Sequence, residues 1–191
     1  MKSRIKWARV LALLGALSLA VPWTCARPAQ SATRPAKTRS DAKYEAWLEK
    51  QVRHELLMLP YYSVFDNLEF QIRGDRVILL GQVVRPSTRS DAEAQVKKIE
   101  GVTGVVNRIE VLPLSPFDDR IRRAEFRAIF SNGMLNRYAI QPVPPIHIIV
   151  KGGHVTLEGV VASEAEKNTA YIVAGGVPGV FSVTNHLRVE G

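Results

Sequence analysis

Apolar residues recur every three to four positions at Tyr44, Leu48, Val52, Leu56 and Leu59, a spacing that predicts an amphipathic helix over 42–59, ended by Pro60. Leu68, Phe70 and Ile72 alternate with polar residues and predict a strand. The turn Arg73-Gly74-Asp75-Arg76, where Gly74 can supply a positive φ, joins it to a second strand carrying Val77, Leu79, Gly81 and Val83. Thr88 and Asp91 stand at capping-box spacing before a helix with Ala92, Val96 and Ile99 on one face and Gly101 as its stop. Val105, Asn107, Ile109 and Val111 then predict a third strand.

The same order returns. A helix is predicted near 118–132, stopped by Gly133, and a hairpin over 145–151 and 154–162. Ser163-x-x-Glu166 caps another helix, and 180–189 reads as the last strand. The segments beginning at Gly74 and Gly152 lie 78 residues apart, and the register holds without a gap through Ala92/Ala170, Gly101/Gly179, Asn107/Asn185 and Val111/Val189. Eleven of these 38 pairs are identical, and the identities fall on turn glycines and alternate apolar positions, where a fold constrains residue type most. The expected class is α+β: two small α-β-β-α-β sandwich modules in tandem, each a three-stranded mixed sheet covered by two helices. A module of about 70 residues gains only about 3–5 kcal/mol from one core, so the two are expected to lean on each other across the stiff Pro113-Leu114-Ser115-Pro116 connection.

The start of the chain reads as an address. Four cations precede the uncharged run Val10 to Val21, which is too short to span a bilayer comfortably and the right length for a signal-peptide core. Pro22 ends it, and Thr24-Cys25-Ala26 places cleavage after Ala26, with Ser18-Leu19-Ala20 as the second site. Cys25 is the only cysteine, and the alternative is a lipid-bearing first residue, though Pro22-Trp23-Thr24 lacks the leucine and small residue usual there. A chain starting at Arg27 has no cysteine for a disulfide or a thiolate metal site. The expected organisation is a signal peptide at 1–26, a solvated basic linker at 27–40, module one at 41–112, a linker at 113–117 and module two at 118–191.

Charge changes the picture only after it is divided. The formal +8 comes from eight basic residues in the first forty positions, which hold no acid; the remaining 18 basic residues face 18 acids. The folding region is formally neutral, which argues against nucleic acid as a partner.

The hairpin pattern G-x-V-x-L-x-G-x-V, standing with one inserted residue at Gly74 to Val83 and again at Gly152 to Val161, resembles that of the BON domain. So does the closing G-V-x-x-V-x-N-x-(I/L)-x-V run at Gly101 to Val111 and Gly179 to Val189. The resemblance covers about Tyr44 to Val189. It implies an α/β sandwich, a periplasmic or envelope location, no enzymatic activity and no cofactor. It also implies a role in holding phospholipid membranes during envelope or osmotic stress, with an envelope protein partner as a further prospect.

Candidate chemistry is sparse. His54, His147, His154 and His186 show no metal-ligand spacing and read as surface residues. There is no Gly-x-Ser-x-Gly elbow and no phosphate loop. Asp118-Asp119 reads as a helix-dipole pair. Asn107 and Asn185 hold an apolar-parity strand position and need hydrogen-bond partners, expected in a nearby loop backbone. Together with Gly74, Gly81, Gly101, Gly152, Gly159 and Gly179 they are the structural positions of the repeat. The functional candidate is the helix from Arg120 to Phe130. Ile121, Ala124 and Ala128 would form its inner stripe; Arg122, Arg123, Phe126, Arg127 and Phe130 would point away, suited to an anionic phospholipid surface. One competing reading packs both phenylalanines against the other module; another keeps the aromatic surface free and makes the protein a protein- or carbohydrate-binding adaptor without lipid affinity.

Overall fold

The computed structural model describes residues 39–190, with side chains from Ala42 onward, so the expected leader, its cleavage site, Cys25 and most of the basic linker lie outside the described residues. Helix α1 (Arg39–Leu57) leads into the hairpin β1 (Asn67–Arg73) and β2 (Arg76–Val83), then α2 (Pro86–Val96), β3 (Gly104–Asn107) and β4 (Glu110–Val111). The second module repeats this with α3 (Pro116–Phe130), β5 (Ile146–Lys151), β6 (His154–Val161), α4 (Glu164–Gly175), β7 (Ser182–Asn185) and β8 (Arg188–Val189). A short 3-10 helix (Asn136–Ile140) lengthens the connection between α3 and β5. The class is α+β, as expected.

In each sheet the middle strand pairs antiparallel with its hairpin partner and parallel with the closing strand. Equivalent pairs recur: Val77 faces Val105 and Leu79 faces Asn107, while Val155 faces Val183 and Leu157 faces Asn185. The closing strand, expected as one run, is broken in both copies. The cause is the asparagine. Asn107 Oδ1 accepts from Ile109 N at 3.1 Å, and Asn185 Oδ1 accepts from Leu187 N at 3.1 Å, which turns the chain locally. Their amides donate to the α2 and α4 carbonyls of Arg89 and Lys167, each at 2.9 Å, tying strand to helix rather than to a loop.

Three helix starts differ from expectation. α1 already includes Arg39 and Ser40, because nothing between Pro35 and Pro60 breaks a helix. α2 begins at Pro86, whose fixed φ and missing N–H suit the first helical position. Thr88 is thus inside the helix, buried, and caps nothing. α3 begins at Pro116, with Ser115 Oγ accepting from Asp118 N at 3.2 Å. At α4 the expected cap is present: Ser163 Oγ accepts from Glu166 N.

Two apolar clusters form, one under each sheet. The first gathers Leu48, Val52, Leu56, Val77, Leu79 and Val96. The second gathers Ile121, Ile129, Phe130, Ile148, Leu157 and Leu187, and also takes in Val64 from the first module's α1–β1 loop. Ile148 N donates to Val64 O at 2.8 Å, so that loop covers part of the β5 edge. Asp66 sets the loop's shape by accepting from Ser63 N at 3.0 Å, Ser63 Oγ at 2.8 Å and Val84 N at 2.7 Å. The described residues belong to one compact unit.

Candidate functional site

Helix α3 is placed by its first turn. Asp118 is buried, and its carboxylate accepts from Gly152 N at 2.9 Å and Gly153 N at 2.8 Å, clamping the helix onto the β5–β6 turn. A dipole role alone does not account for this residue. Nothing in the local spacing announced the contact, because its partners lie 34 and 35 positions away.

The buried stripe of α3 is Ile121, Glu125 and Ile129 rather than Ile121, Ala124 and Ala128. This rotates two of the five candidate residues inward. Arg122 is only 3% exposed; its Nη2 donates to Val150 O at 2.7 Å and its Nη1 to Asp119 Oδ1 at 2.5 Å. Phe130 is 7% exposed and belongs to the second core. A lipid-facing role for Arg122 and Phe130 is therefore corrected by their burial. Arg123, Phe126 and Arg127 do lie on the outer face. Phe126 is 38% exposed, sits 4.9 Å from the Phe130 ring and meets Phe65 of the first module edge-on at 6.3 Å. Phe126 is thus one of the residues that meet the first module. Arg120, Arg123 and Arg127 follow one helical stripe, and among the described residues none of the three forms an ion pair.

Glu125 is the group that sequence reasoning passed over. It is fully buried, neither carboxylate oxygen has a hydrogen-bond partner among the described residues, and burial pushes its pKa up to about 8. The equivalent place in α1 holds Val52: Leu48, Val52 and Leu56 form the same i, i+4, i+8 stripe as Ile121, Glu125 and Ile129. An acid inside that apolar run was the available signal.

The other candidate chemistry lies in a cleft of about 750 Å³ between the sheets, lined by residues including Glu49, Arg53, Phe70, Glu158, His186 and Arg188. His186 Nδ1 stands 2.6 Å from Glu158 Oε1. His147, expected at the surface, is half-buried at this cleft, with its ring 5.6 Å from that of Tyr62. Burial holds the His147 pKa below its ordinary value and pushes the Tyr62 hydroxyl up to about 12. Among the described residues no cluster of three or more metal-ligating side chains occurs, and no helix is long and apolar enough to cross a membrane.

The described residues thus form two α+β modules, the second carrying arginines on the outer face of α3. The family model of the BON domain matches residues 44–113 and again 119–191, so the chain belongs to the BON-domain family. No curated protein matches it. Among solved structures it is similar to CdsD, a structural protein of the Type III secretion system of Chlamydia trachomatis, at 12% identity over 75% of this chain and 92% of that one, with a TM-score of 0.31. The C-terminal domain of the same Chlamydia trachomatis protein gives 10% identity, 75% and 98% coverage, and a TM-score of 0.27.

Proposed function

We propose that this is an exported, non-catalytic envelope protein whose second BON module adsorbs to anionic phospholipid membranes and so supports envelope integrity under osmotic stress. The observation that carries the reading is the outer stripe of Arg120, Arg123 and Arg127 beside the half-exposed Phe126. The headgroup phosphates of an anionic bilayer supply the missing counter-charges, and each cation held near such a surface adds about 1 kcal/mol of attraction. The association is peripheral and reversible. An apolar leader before residue 27 accounts for export; the basic stretch ahead of α1 lets the modules reach a surface.

Double charge reversal, Arg123→Glu with Arg127→Glu, tests it in the full chain. Removing two attractions of this size predicts a loss of at least about thirtyfold in affinity for phosphatidylcholine vesicles containing phosphatidylglycerol. Equal affinity of variant and wild type refutes the assignment. A periplasmic adaptor is the second reading, and the charged cleft that holds Glu49, Arg53 and Arg188 favours it. Wild-type chain that ignores anionic vesicles yet binds a peptide or glycan, with that binding lost in Arg53→Glu, would establish that reading instead.

A further inference from the structure

The internal repeat provides a control for what the second module has gained. At the end of module one where α2 stops, Thr103 Oγ1 donates to Asp75 Oδ2 at 2.6 Å and Glu93 pairs with Lys97 at 2.6 Å. The corresponding residues of module two, 78 positions on, are Phe181, Gly153 and Tyr171, and Ile172 replaces Ala94. A polar end has become an apolar one. Phe181 is 70% exposed, Ile172 is 71% exposed, and Tyr171 is also exposed.

This end is built rather than merely uncovered. The Phe181 ring stacks on Phe117 at 5.9 Å and meets His154 edge-on at 5.9 Å. A Cβ on Gly153 would come within 2.6 Å of the Phe181 ring, so the loss of a side chain at the turn is what lets the ring lie there. Tyr171, Ile172 and Phe181 border a shallow cleft of about 360 Å³. The Arg120 guanidinium stands 5.8 Å from the Phe117 ring, so the patch continues directly into the arginine stripe of α3. Apolar rings bordered by free guanidinium groups complement an interface with acyl chains below and phosphates above. A soluble partner would more often bring paired charges and a polar rim.

We infer that Tyr171, Ile172 and Phe181 form the apolar anchor of the second module, entering the headgroup–acyl boundary of an anionic bilayer while Arg120 and the α3 stripe hold its phosphates. The inference rests on the membrane reading above and gives that reading its insertion site. Module one keeps an aromatic pair at its corresponding end, Tyr44 stacked on Trp47 at 5.9 Å, but Tyr44 is committed to Gly101 O, and Asp75, Glu93 and Thr103 keep the neighbouring surface polar.

Hydrogen exchange of the full chain, read by mass spectrometry on phosphatidylcholine vesicles with and without phosphatidylglycerol, tests it. The apolar N-terminal run is common to every sample, so local protection reports the modules alone. The expected result is slower exchange over 171–183 on the anionic vesicles. The triple variant Tyr171→Glu, Ile172→Ala, Phe181→Thr installs module one's own residues. It should lose that protection and bind at least about a hundredfold more weakly, as expected for withdrawing all three anchor side chains from the boundary. Ile172→Ala alone, at a site too exposed to disturb folding, should give about a tenfold loss. Anionic-dependent protection confined to 120–127, with both variants binding like wild type, overturns the anchor and leaves the membrane reading standing. Absence of anionic-dependent protection anywhere in the wild-type chain overturns both.

Discussion

Substituting Glu125→Gln is expected to stabilise the protein at neutral pH and to leave it almost unchanged near pH 4.5. The carboxyl is fully buried without a partner among the described residues, and burial raises its pKa to about 8 from an ordinary 4.5. Because the folded-state value is raised, the folded protein keeps a proton that the unfolded chain gives up. Stability is therefore unaffected below about pH 4.5, falls as pH rises through that window, and levels off above about pH 8. At pH 7.5 the difference spans roughly three pKa units, or about 4 kcal/mol at about 1.4 kcal/mol per unit. The carboxyls of Asp75, bonded to the Thr103 hydroxyl, and Glu93, bonded to Lys97, have lowered values. Their stabilisation has the opposite sign and is lost below that window as pH falls. Urea unfolding at pH 4.5 and pH 7.5 measures the effect. Glutamine keeps the shape and cannot ionise, so the variant should gain about 4 kcal/mol at the higher pH only. A wild-type stability that is flat across this range, or a variant with the same pH slope, refutes the reasoning. Glu125→Val, which copies Val52 of the first module, should in addition stabilise at pH 4.5 by removing two unsatisfied oxygens.

Arg122→Ala should destabilise by about 2–3 kcal/mol in urea unfolding, because it leaves Val150 O without its donor inside the fold, whereas Arg123→Ala should stay within about 0.5 kcal/mol. Gly159→Ala should cost about 3 kcal/mol or more, seen as a large fall in melting temperature: its φ is +119° and the added Cβ would come within 1.9 Å of Pro145 O. Gly152→Ala, in open space at φ +59°, should cost only about 1 kcal/mol.

The framework of this fold was legible because it is written twice. Alternating valines and leucines fixed both hairpins, and the 78-residue register placed the turn glycines and both asparagines before any coordinates. What local patterning could not carry was the rotation of α3. Arg122 and Phe130 look like surface residues by helical spacing, yet one finds a backbone carbonyl on β5 and the other an apolar core partly supplied by Val64 of the first module. Those partners lie far away in sequence, so no i, i+4 argument reaches them. The same holds for Asp118, which clamps the Gly152-Gly153 turn. Glu125 is the opposite case: its position in an apolar stripe was visible, and only its complete lack of partners required the structure. The anchor candidates Ile172 and Phe181 were equally visible in the aligned repeat, at places where the first copy has Ala94 and Thr103. That both side chains are exposed and border one cleft is set by the tertiary packing, which sequence differences alone do not carry.

If the second module holds to anionic membrane surfaces as proposed, the wild-type chain alone must show it. Binding of the full wild-type chain to vesicles, titrated against the mole fraction of phosphatidylglycerol, tests it most directly. Adsorption through the arginine stripe predicts an affinity that climbs steeply with anionic lipid and falls as salt is added, since the screening length shrinks to about 3 Å at 1 M. Affinity that stays level as phosphatidylglycerol replaces phosphatidylcholine, and is indifferent to salt, would contradict it.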